Sequence, residues 1–110
     1  MTPSVTQVIR IYQKSLDRLA VHFVVHCMDD SEYIQIVRVL ISAALGILVE
    51  DGETDGTIGS VESLLREHAR DFYVAHCAKS HSEISNVADY KEECAELFDY
   101  IFVHGRYPDD

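Results

Sequence analysis

Between residues 51 and 62 the chain reads Asp-Gly-Glu-Thr-Asp-Gly-Thr-Ile-Gly-Ser-Val-Glu, the sharpest chemical pattern in the sequence. Carboxylates stand at its first, third, fifth and twelfth places, as Asp51, Glu53, Asp55 and Glu62, with Gly56 at the sixth and the aliphatic Ile58 at the eighth. A hard divalent cation such as Ca2+ needs several carboxylate oxygens converging from a short loop, and a glycine lets that loop turn sharply around the ion. Softer metal chemistry would come from the six histidines and three cysteines. His22 and His26 are four apart, so on a helix both imidazoles face one side, and His26, Cys27, His76 and Cys77 would converge if the helix ends carrying them met. Helix geometry works against that cluster, because neighbours such as His26 and Cys27 diverge by about 100°. Buried thiols and boundary imidazoles are therefore expected.

The segment 51–62 resembles the twelve-residue calcium loop of EF-hand proteins, on Asp51, Glu53, Asp55, Gly56, Ile58 and Glu62. The resemblance implies a Ca2+ site built from Asp51, Glu53, Asp55 and Glu62. Three features depart from that family: Glu53 is longer than the usual Asp or Asn, Glu50 replaces the aromatic before the loop, and Ser63, Arg66, Glu67 and Arg70 stand where apolar residues belong. The later half, Asp-Gly-x-Ile-x-x-x-Glu, is similar to the helix-to-helix turn of tellurite-resistance TerB-like domains. These departures favour a purely structural turn, in which glycines end one helix, acids precede the dipole of the next, and Ile58 packs inward. No Gly-x-Ser-x-Gly, phosphate-binding glycine loop or His-Glu-x-x-His is present, so an enzyme is not expected.

Charge speaks for a binding role. Nine basic residues face nineteen acidic ones, a net charge of −10. Residues 1–50 hold four basic and five acidic side chains, whereas residues 51–110 hold five and fourteen. Such a field repels nucleic-acid phosphates and anionic membranes and attracts basic proteins. Asp89, Glu92, Glu93, Glu96 and Asp99 recur at three and four, opposite an apolar face centred on Val87, Cys94, Phe98 and Ile101, with Tyr90 and Tyr100 toward the edges. Aromatic anchors supply affinity while carboxylates steer the encounter. The expected function is a small acidic protein-binding module, an inhibitor or neutraliser that occupies a basic, often nucleic-acid-binding, surface. That is similar in style to immunity proteins and phage-encoded anti-defence proteins, with a divalent-cation module, or a helical ligand- or metal-binding protein, as alternatives.

The elements that must carry these residues follow from periodicity. Apolar residues at 5, 8, 9, 12, 16, 19, 20, 23 and 27 share one helical face. Ser4 is placed to cap it, and Asp30 or Ser31 to cap a second helix. The pattern predicts helices over about 5–27, 32–49, 60–79 and 82–104, with an acidic, glycine-rich loop over 50–59. No strand alternation appears, so the expected fold is all-α: one domain over 1–110, a four-helix bundle of two antiparallel helical hairpins. The second helix is apolar on both sides, which predicts a homodimer or higher oligomer. Its longest apolar run falls short of a bilayer span, residues 1–20 lack a signal-peptide pattern, and three unpaired cysteines suit a reducing compartment, so a cytoplasmic location is expected.

Overall fold

Helix α1 (Val5–Val25) starts on a reciprocal pair. The Gln7 amide donates to the Ser4 hydroxyl at 3.2 Å while the Ser4 amide donates to Gln7 Oε1 at 2.9 Å, a capping box that satisfies two backbone donors at once. The helix ends two residues before the expected position. Cys27 adopts a left-handed φ of 50°, and the Met28 amide reaches back to the Phe23 carbonyl at 3.0 Å, the closing bond of a Schellman motif. A non-glycine residue there carries strain of about 1–2 kcal/mol.

The structure, a computed structural model, describes residues 4–80 and 87–108, and no strand occurs among them. Helix α2 spans Asp30–Glu50, α3 Asp55–Ser80 and α4 Val87–His104. Asp29, rather than Asp30 or Ser31, caps α2, its carboxylate accepting from the Ser31 and Glu32 amides at 3.1 and 3.4 Å. At the other end of α2 Gly52 takes φ of 77°, and the Glu53 amide closes onto the Leu48 carbonyl at 3.1 Å.

The acidic loop is shorter than its composition suggests. Thr54 caps α3 by accepting from the Thr57 amide at 3.2 Å, so residues 55–59 are helical instead of lying in a loop over 50–59. Gly56 and Gly59 read as turn residues, yet glycine in a helix costs only about 1 kcal/mol. Half-buried Ile58 and buried Val61 gain more by packing on the core. Of the fourth expected helix, residues 82–86 lie outside the described residues; the described part ends at His104 as expected.

Helices α2 and α3 are central: each packs against all the other helices, and among the described residues α1 and α4 do not meet. Tyr33, Ile34, Val37, Ala44 and Leu48 of α2 are wholly buried against Leu16 and Phe23 of α1, Leu65 and Tyr73 of α3, and Phe98 and Ile101 of α4. The result is an all-helical bundle. Helix α2 is also long and apolar enough to cross a membrane by length and composition, with a mean hydropathy of 1.8, although only 33% of that window is buried. Its outward side exposes Val39 and Val49, 65% and 61% accessible. The C-terminal end of α4 is tied to α2 where Gln35 Nε2 donates to the Gly105 carbonyl at 3.1 Å.

Candidate functional site

Because the apolar arc of α4 is committed to the core through Cys94, Phe98 and Ile101, its opposite arc must face outward. Asp89, Glu92, Glu93 and Glu96 are exposed there. Among the described residues Glu92, Glu93 and Glu96 make no ion pair.

Asp99, the fifth member expected in the stripe, is engaged within the protein. Its carboxylate pairs with Arg66 at 3.2 Å and Arg70 at 3.1 Å, both from α3, and its side chain is 35% accessible. Arg66 is further held by its guanidinium lying 4.6 Å over the Phe102 ring, a cation–π contact. Asp99 thus joins α3 to α4. Tyr100 is half-buried with its ring 4.2 Å from that of His104, and it remains beside the four outward carboxylates.

Tyr90 lies elsewhere. It lines a cavity of about 320 Å³ between the start of α2, the end of α3 and the start of α4, together with Asp30, Tyr73, His76, Cys77, Glu93, Cys94 and Leu97. The Tyr73 hydroxyl, at the end of a wholly buried ring, donates to Asp30 Oδ2 at 2.9 Å. Burial pushes the Cys77 thiol up to about 12, opposed by its hydrogen bond to Tyr73 and reinforced by Cys94. Burial, followed by Cys94, also raises Tyr90 to about 12. Tyr73 is driven higher still, by burial first and then by Cys77 and Asp30. All three therefore stay neutral at pH 7, and Asp30 and Glu93 supply the cavity's negative charge.

The other candidate ligands are spread apart. Asp51 caps the end of α2, Asp55 opens α3, and Glu62 is two turns further along it, about 10 Å from Asp55 by helical rise. The oxygens needed at the fifth and twelfth places of a calcium loop are thus held apart by helix, although Asp51 Oδ2 is shielded without a hydrogen-bond donor. His22 and His26 do meet, their ring centroids 4.2 Å apart at a tilt of 39°, on the exposed end of α1. His76 instead packs against Phe23 and Phe72, Cys27 is exposed, and Cys77 turns to the cavity. Among the described residues no group of three or more His, Cys, Asp or Glu side chains is placed to hold a metal ion.

The cavity was not anticipated from sequence. Its signal was a repeated Tyr-x-x-x-Cys, at Tyr73 and Cys77 and again at Tyr90 and Cys94, which sets a hydroxyl above a thiol on each facing helix. No protein family, curated protein or solved structure matches the chain.

Proposed function

We propose that this protein is an acidic binding module whose α4 face occupies a basic surface of a partner protein, as an inhibitor or neutraliser of the immunity or anti-defence kind acting in the cytoplasm. The observation that carries the reading is the row Glu92, Glu93 and Glu96: exposed, without a cation among the described residues, in a chain of net charge −10. Like charges on one helix face repel, and a sequence that retains them gives up some helix stability. A basic partner would relieve that repulsion and gain from steered encounter. Tyr100 supplies an aromatic anchor beside the row.

In this reading α1 with α2, and α3 with α4, form two antiparallel hairpins of a four-helix bundle, and the chemistry is recognition rather than catalysis. The outward side of α2, with Val39 and Val49 exposed, favours a second association, of one copy of the chain with another. The experiment for the main reading is affinity capture at low salt with the wild type and with Glu92→Lys/Glu96→Lys. A basic protein retained by the first, released by salt and absent from the second supports it. Equal retention by both contradicts it.

A further inference from the structure

The cavity between α2, α3 and α4 gathers carboxylates. Asp30, in the first turn of α2, is half-buried and accepts from the neutral Tyr73 hydroxyl, and no lysine or arginine lines the cavity among the described residues. Glu93, on the opposite wall, adds a second carboxylate. Of the remaining polar groups, Tyr90 and Cys77 are acids held in their neutral forms, and the His76 ring packs against Phe23 and Phe72. Desolvating a carboxylate is costly unless a cation compensates it. A volume near 300 Å³ lies at the lower end of ligand pockets.

We propose that this cavity receives an alkylammonium group, with Asp30 and Glu93 as its counter-charges, and that in the complex it is filled by a lysine side chain of the basic partner. The ammonium is preferred to a guanidinium for a geometric reason. Tyr73 already takes one lone pair of Asp30 Oδ2, so a compact ammonium, which needs a single acceptor, fits more readily than the two-pronged fork of an arginine. Glu93 belongs both to the acidic row on α4 and to the cavity wall, so a chain lying along that row would pass the opening. The ammonium site stands on the cavity alone; its filling by a partner's lysine rests on the reading of α4 given above.

The test titrates the full-length chain with n-butylammonium and, as its uncharged counterpart, n-butanol, followed by nuclear magnetic resonance at the Tyr73, Cys77 and Cys94 amides. Butylammonium should shift these amides and bind about tenfold or more tightly than butanol, and Asp30→Asn should remove most of that difference. Glu93→Gln, exposed and therefore safe for folding, should weaken butylammonium by a smaller factor if Asp30→Asn does not fold. Equal binding of the two probes, or an unchanged affinity in a folded Asp30→Asn, overturns the site. An oligolysine peptide then separates the two sources of ammonium. Weakening by both Asp30→Asn and Glu92→Lys/Glu96→Lys supports the lysine anchor. Weakening by the α4 reversal alone overturns the anchor and leaves the α4 reading standing, and weakening by neither overturns both.

Discussion

Removing the Asp99 carboxylate should destabilise the protein, in contrast to removing its neighbours on the same helix. In Asp99→Ala the guanidinium groups of Arg66 and Arg70 lose contacts of 3.2 and 3.1 Å. They also stand one helical turn apart with no anion between them, a like-charge pair that costs about 0.3–0.5 kcal/mol. The side chains are about a third accessible, so each ion pair is screened and contributes no more than about 0.5–1 kcal/mol. The sum is roughly 1.3–2.5 kcal/mol, or about 6–11 °C in Tm for a domain of this size. Glu96→Ala, which removes an exposed carboxylate that makes no ion pair among the described residues, should change stability by no more than about 0.5 kcal/mol. Thermal unfolding followed by circular dichroism measures both, and the Asp99 effect should shrink at high salt. If Asp99→Ala and Glu96→Ala melt together at low salt, the division of the α4 acids into a structural one and outward ones is wrong.

Alkali should destabilise the fold: burial holds Cys77 and Tyr90 up to about 12, while the unfolded chain releases the same protons near 9 and 10, so stability is full below about pH 9 and lost as pH rises toward 12. A Tm unchanged between pH 8 and 11 would contradict this. Light scattering should give a particle of twice the 12.5 kDa chain for the wild type and one chain for Val39→Lys, and a monomeric wild type at micromolar concentration would remove the association assigned to α2. Millimolar Ca2+ should leave Tm unchanged, because Asp55 and Glu62 are held two turns apart on α3; a rise of several degrees would mean that the start of α3 reorganises around the ion.

Much of the fold was legible because helical periodicity and caps are local signals. Ser4 marks the start of α1 in the sequence as in the structure, and α4 ends at His104 where the periodicity placed its end. The start of α3 was not, since Gly56 and Gly59 carry a turn-like composition that the packing of Ile58 and Val61 overrides. The outward row on α4 was readable from spacing alone. What spacing could not reveal was which of its members meets a residue from another helix: Arg66 and Arg70 reach Asp99 only because α3 and α4 pack side by side. The same holds for the cavity: the two Tyr-x-x-x-Cys pairs are local, but that they face each other and Asp30 depends on the packing of three helices.

The central claim is that the location of the charge on α4, and not the charge of the whole chain, recognises a basic partner. The most direct test compares the captured partner's affinity for Glu92→Lys/Glu96→Lys and for Glu50→Lys/Glu67→Lys, two variants with the same net charge, the second altered at exposed positions outside α4. With each α4 carboxylate contributing about 0.5–1 kcal/mol, the first variant should bind roughly five- to thirtyfold more weakly than wild type at low salt. The second should lose only a small part of the association rate. Equal weakening of the two variants would contradict the claim.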